Sequence, residues 1–380
     1  MSFNNLPLEL KSVILNELSD DKAQLLELPT PRAFRTLNIS RKHGTYAVFS
    51  NLPDRSPVYD YVREIKFSAL QRLHDVFEGD EVDETISIFT HFSKFPALHT
   101  LRFYFHDEYE EGMYEVLGDS ISMSPVRTLQ IEIFKTLAGL ADGGFRLHEL
   151  EVRGLLALPN EGLCLAAISP LLSPLTTLRL SLVTNNGDDF ELADEDFTAF
   201  WKTDLFELLR LAVSLTDVTL MSDINTVGFD GAQWDKLRLP KLRRLHLEYI
   251  IFTNIAYYQQ RFLSSAEGFE EFILRHKDTL EDLDLSLFSI EIDQEDPNRR
   301  TWAMIWNGFE AQLSRLRSFK FDPLPGHIVD LETGSTFEGY ATRVAEFGYF
   351  GCFWDHLADS TLDEMVFDSL QRCTEGRTCR

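Results

Sequence analysis

Cysteine is scarce in this chain. Cys164, Cys352, Cys373 and Cys379 are the four among 380 residues, and no two stand in Cys-x-x-Cys spacing. That pattern excludes a zinc knuckle, a dithiol redox pair and a disulfide-stapled framework, and it fits a reducing compartment, cytoplasmic or nuclear. Long apolar runs are missing as well. The most apolar window, Leu155 to Leu175, is interrupted by Pro159, Glu161, Pro170 and Pro174, short of the ~18 uninterrupted residues that suggest a membrane span. The opening Met1-Ser2-Phe3-Asn4-Asn5 has no basic stretch leading into an apolar one, so a secretory leader is not expected. Bases are outnumbered: 36 Lys and Arg against 61 Asp and Glu leave a formal charge of −25. A field of that sign repels phosphate backbones and anionic lipid, so neither nucleic acid nor a membrane is an expected partner. The Gly-Lys of a P-loop, Gly-x-Gly-x-x-Gly and His-Glu-x-x-His are all absent. No metal site and no cofactor is expected.

The composition that remains, 44% apolar and 26% charged, is that of a globular protein. Within it one short frame recurs, with apolar residues at its first, fourth and sixth positions. Leu98-His99-Thr100-Leu101-Arg102-Phe103 is one copy and Leu147-His148-Glu149-Leu150-Glu151-Val152 another. Further copies begin at Val62, Val126, Leu175, Leu215, Leu242, Leu280, Leu316 and Leu362, at a mean step of about 33 residues. Positions four and six alternate with polar neighbours, the period-two signature of a strand with one buried face. No such strand is stable alone; stacked in parallel, each covers the leucines of the next. The fold expected is therefore α/β: a leucine-rich-repeat solenoid with a parallel concave sheet and helices on the convex side, over residues 56–380. Helical faces stand between frames at 196–212, 256–276 and 302–316, and Asp322-Pro323-Leu324-Pro325-Gly326 opens a long loop.

Positions three, five and seven of each frame point away from the core. They would include Thr128, Gln130 and Glu132 in the third copy, and Glu364, Val366 and Asp368 in the last. The candidate substrate-binding residues on this face are Arg102, Tyr104, Arg153, Arg179, Arg244, His246, Asp282 and Asp284. Arginine is enriched where interfaces concentrate their energy. Ten strands present roughly 700 Å², near one side of a standard protein interface, a scale that suits a protein substrate.

The first fifty residues differ. Leu6-Pro7-Leu8-Glu9-Leu10 leads into Ile14-Leu15 and Leu18, and Leu10, Val13, Ile14 and Leu18 form a helical stripe behind a proline suited to a first turn. This opening resembles the first helix of an F-box. Leu25-Leu26-Glu27-Leu28 would be its second helix, and Leu37-Asn38-Ile39-Ser40-Arg41 is similar to part of the third. Pro29-Thr30-Pro31 between the last two, and His43-Gly44 where the family often has tryptophan, depart from the pattern. An F-box-like three-helix domain over 1–55, followed at once by irregular leucine-rich repeats, resembles the fungal-type substrate receptors of Skp–cullin–F-box ubiquitin ligases. The resemblance implies a non-catalytic subunit with the Skp adaptor and cullin scaffold as partners. Its adaptor-binding face would be Leu6, Pro7, Glu9, Leu10, Ile14, Leu15 and Leu18.

Two other readings stand beside it. The N-terminal helices could simply cap a leucine-rich-repeat scaffold, or the chain could be a hydrolase. Gly118-Asp119-Ser120 is similar to the nucleophile block of GDSL-type esterases, but no Asp-x-x-His follows to activate the serine.

Overall fold

The computed structural model describes residues 35–40, 57–69, 79–105, 125–163, 166–183, 195–222, 227, 234, 236–252, 269–291, 301–322, 340–343, 349–351 and 360–378. The chain divides into two compact units, Met1–Leu155 with Asn160–Leu175, and Leu156–Pro159 with Thr176–Arg380. Both are α/β and both are built on parallel strands.

In the first unit β1 (Thr36–Ser40), β2 (Glu64–Ser68), β3 (Thr100–Tyr104) and β4 (Glu149–Leu156) lie side by side in chain order. Every pairing joins identical frame positions: Leu37 meets Ile65, Ile65 meets Leu101, and Leu101 meets Leu150. Parallel neighbours need a long crossover. Here α1 (Gly79–Thr90), α2 (Pro125–Asp142) and the single turn α3 (Ser169–Leu172) supply helix. Phe67, Phe89, Phe103 and Phe134 interleave strand and helix, with Phe67 and Phe89 centroids 5.0 Å apart.

The second unit repeats the scheme with β5 (Thr177–Val183), α4 (Glu195–Ala199), a π-helical turn over Phe200–Asp204, α5 (Leu205–Leu211), β6 (Asp217–Met221), β7 (Arg244–Phe252), α6 (Phe269–Arg275), β8 (Asp282–Glu291), α7 (Trp302–Gln312) and β9 (Ser318–Asp322). β5 to β9 pair in chain order, all parallel. β10 (Tyr340–Arg343) pairs parallel with the far end of β8, beyond the reach of β9, and β11 (Tyr349–Gly351) runs antiparallel to β10. α8 (Ser360–Thr378) packs on α7, where Arg377 donates to the Leu313 carbonyl at 2.6 Å.

One hydrogen-bond pattern sets the register. The carbonyl at frame position two accepts the N–H groups of positions two and three on the next strand. Arg63 O takes His99 N and Thr100 N at 3.1 Å each, and Arg243 O takes Glu281 N at 2.8 Å and Asp282 N at 2.9 Å. Position one closes the helix-to-strand corner, as where Leu215 N donates to Ala212 O at 3.1 Å.

A second pattern was not expected. Gly154, Tyr249 and Leu287 have φ of 76°, 58° and 52°, and each stands seven residues after its frame leucine. The left-handed turn flips the alternation, so that Ile250, Ile251 and Phe252, and likewise Phe288, Ser289 and Ile290, are all buried. For Tyr249 and Leu287 this conformation costs about 1–2 kcal/mol each, which the added burial offsets. Phe288 gains Phe321 at 4.1 Å and Trp302 at 4.7 Å between ring centroids. Gly162 meets a different demand: a Cβ there would stand 2.7 Å from Ile131 O and Phe134 Cβ of α2.

Three expectations require correction. The segment 36–40 is strand β1, joined to β2 over five residues, and not the third F-box helix. The frame beginning at Val126 lies on α2, so Thr128, Gln130 and Glu132 are not on a sheet face. Gln130 is instead buried, its amide donating to Gly154 O at 2.7 Å. The frame beginning at Leu362 lies on α8, and Glu364, Val366 and Asp368 with it. The two helical stripes fail to continue with period two; α2 goes on to bury Ile133, Phe134, Leu137, Ala138 and Ala141 at helical spacing.

This register makes two outcomes expected. Leu245 is 2% exposed while Arg244 beside it is exposed, so Leu245→Ala is expected to lose ~2–5 kcal/mol and Arg244→Ala less than about 1 kcal/mol in urea melts. The reverse ranking would place the strand one residue out of register. The second concerns His276, whose Nδ1 bonds the Phe272 carbonyl at 2.8 Å while Nε2 accepts Leu239 N–H at 3.1 Å. Burial pushes its pKa below the ordinary 6.5, the Arg238 charge adding to the effect against the pull of the Phe272 carbonyl. Below pH 6.5 the unfolded chain therefore takes a proton that the folded chain refuses, and stability falls as the pH drops toward the folded value. His276→Gln should start about 1–3 kcal/mol less stable, with the Leu239 N–H imperfectly paired, and its melting temperature should depend less steeply on pH between 7 and 5.

Candidate functional site

The eight face residues expected from the frame fall into two clusters, one in each unit. The first surrounds Arg102 at position five of β3. Its Nε donates to Glu64 Oε1 at 2.6 Å, its Nη2 to Glu149 Oε1 at 3.0 Å and its Nη1 to Glu151. Thr36 donates to the second oxygen of Glu64 at 2.9 Å. Arg153 holds Glu151 Oε1 at 2.7 Å and places its guanidinium 5.0 Å from the Tyr104 ring centroid. Burial by itself raises the Glu64 carboxyl, but hydrogen bonds from Arg102 and Thr36 and the charges of Arg102 and Lys66 together hold it below its ordinary value. The Glu151 side chain keeps only 4% of its surface in water. Arg102 is thus a brace across β2, β3 and β4. Tyr104 and Arg153 are its solvent edge, where Arg153 remains 60% exposed.

The second cluster is open. Arg179 on β5, Arg244 and His246 on β7, and Asp282 and Asp284 on β8 line one groove of about 430 Å³, together with Asp217, Thr219, Ser318 and Lys320. Frame positions three and five place all nine on the same face. Arg244 pairs with Asp217 through Nε, His246 Nδ1 lies 3.2 Å from Asp284 Oδ2, and Lys320 Nζ lies 3.7 Å from the same oxygen. Glu248, at position seven of β7, has its carboxyl pushed up by burial, with Asp284 adding to the effect and His246 opposing it. Lys320 and Asp217 were not among the candidates singled out from the sequence. The frame puts both on this face, at the positions of His246 and Arg244 respectively, and what it lacks is the pairing that brings them into the groove.

The groove has the ingredients for recognition: charges of both signs, hydroxyls, and an open mouth. Asp284, His246 and Thr219 stand in one row and have the composition of a catalytic triad. His246 bonds Asp284, and no hydrogen bond joins it to Thr219 among the described residues. No group of His, Cys, Asp and Glu that could hold a metal occurs among the described residues. No helix among them is long and apolar enough to cross a membrane. The expected adaptor-binding residues Leu6, Pro7, Glu9, Leu10, Ile14, Leu15 and Leu18 lie outside the described residues, as does Gly118-Asp119-Ser120. Comparison of the chain with protein-family models, with curated proteins and with solved structures finds no match.

The two clusters should respond differently to loss of a cation. Arg102→Met leaves Glu64 and Glu149 beside a buried Glu151, and a loss of about 3 kcal/mol is expected, the low end for a broken buried pair because the arginine side chain is 23% exposed. Glu151→Gln on that background should restore part of it. Lys320→Met, 73% exposed, should stay within about 0.5 kcal/mol. Urea melts of the three variants decide whether Arg102 braces the strands or is free to bind.

Proposed function

We propose that the chain is a non-catalytic substrate receptor: a leucine-rich-repeat solenoid whose strand face binds a protein, carried on an F-box-like segment that docks the Skp adaptor of a cullin ubiquitin ligase. The observation that supports the receptor half is the shared register. Within each unit, stacking identical frame positions strand after strand turns positions three and five into a continuous surface over a uniform core, and in the second unit that surface is a polar groove. The adaptor half is supported by the residues 6–18 alone. With 36–40 in the strand ladder, the third-helix part of the F-box resemblance falls away and docking rests on the first helix, whose Pro7 and apolar stripe resemble the adaptor-binding motif.

The test is a pull-down of the full chain with purified Skp adaptor. The wild type should bind and Ile14→Asp should not, because an unpaired charge in an apolar interface costs several kcal/mol, most of what a micromolar complex has to offer at about 8 kcal/mol. The variant should melt as the wild type does. Unaltered binding, or unfolding of the whole chain, would favour a scaffold whose first helix caps the repeats.

A further inference from the structure

The three aspartates of the groove are unequally engaged. Asp217 takes Arg244, and Asp284 takes His246 and Lys320. Asp282 shares a strand and a face with Asp284, yet no hydrogen bond or ion pair ties its carboxylate to another described residue. Its register neighbours are Arg244 on β7 and Ser318 on β9. Arg244 acts on it only as a nearby charge, because its Nε is drawn the other way, toward Asp217 on β6. A half-buried carboxylate with a hydroxyl on one side is thus left open in the groove.

Charge and spacing narrow what could fill it. A chain of net charge −25 attracts basic partners from a distance and repels acidic ones. Along frame position three, β6, β7 and β8 present acid, base, acid at the strand spacing of about 4.8 Å. Side chains one turn apart on a helix have Cβ atoms ~5–6 Å apart, a close match. Same-face residues of an extended strand lie ~6.6–6.8 Å apart and would drift off the row.

We propose that the groove docks a basic helical segment of a protein partner, with a lysine or arginine seated on Asp282 and an acidic residue one turn away on the Nη groups of Arg244. The proposal rests on the receptor reading and names the class of substrate it takes.

The probe is a fluorescein-labelled, alanine-based helical peptide rich in lysine, with one glutamate four residues before a lysine, and its charge-reversed copy. Titrated with the full chain at physiological ionic strength, the basic peptide should bind and the reversed copy should not. Asp282→Asn should weaken binding about tenfold, the loss of one charge-assisted pair. Asp278→Asn, the same charge change at an exposed position on the turn before β8, should leave it unaltered. Ser318→Lys, which sets a fixed ammonium beside Asp282, should block the peptide without touching Asp282 itself. Equal weakening by Asp282→Asn and Asp278→Asn would overturn the proposal in favour of the general field of the chain. So would failure of the basic peptide to bind, or tighter binding of the reversed copy that Arg244→Ala abolishes. Adaptor binding by residues 6–18 is read separately, so either reading can fail while the other stands.

Discussion

The parallel pairings of β1 to β4 and of β5 to β9 depend on one repeated contact: the position-two carbonyl that accepts two N–H groups from the next strand. In the first unit Arg35, Arg63 and His99 play this part, and in the second Thr176, Thr216, Arg243 and Glu281. A buried or half-buried carbonyl must be paired, and here the pairing is possible only when identical frame positions face each other. A slip by one residue would leave the carbonyl short of a donor and turn every leucine outward. Backbone pairing and apolar burial therefore demand the same register, which is why steps of very different length between frames can be tolerated.

The same constraint distributes charge. Because position three meets position three and position five meets position five, an acid on one strand finds its base on the next: Glu151 at Arg102, Asp217 at Arg244, Asp284 at Lys320, with Glu64 reaching Arg102 diagonally from position three. How much such a pair contributes depends on where water is excluded. Arg102, paired with three carboxylates of which Glu151 is buried, is part of the strand framework. Arg244 and Lys320 stand in water and add little to stability, so they are available for another purpose.

Much of this was legible from residues alone. Leucine, phenylalanine and valine at positions one, four and six located eight of the strands, from Glu64 to Asp322. The misreadings share a cause: apolar residues three apart also suit a helix, and only the continuation of the pattern over the next two turns separates the two. After Leu129 the apolar residues continue as Ile133, Phe134 and Leu137, a helical stripe, whereas after Leu178 the alternation holds through Leu180 and Leu182. Phe34, Leu37 and Ile39 repeat the strand frame, but the same residues also fitted an F-box motif, and only the pairing of Thr36–Ser40 with Glu64–Ser68 decides between them. The left-handed residues were out of reach, since Tyr249 and Leu287 are types that avoid that conformation and tertiary burial alone holds them there. Within the site, the choice of partner for each charge depends on side-chain reach and depth, which the frame does not encode.

A two-residue period has a further consequence for how such a protein can change. Positions four and six answer to the core, where a lost methylene is felt at once. Positions three and five answer only to their neighbours across the strands. Asp282 shows the separation: Leu283 beside it is 1% exposed and fixed by packing, while Asp282 itself could be replaced with little effect on the ladder. A carboxylate at such a position, between Arg244 and Ser318 and without a described ion-pair partner, is not required by the fold. Its role is to be sought in what enters the groove.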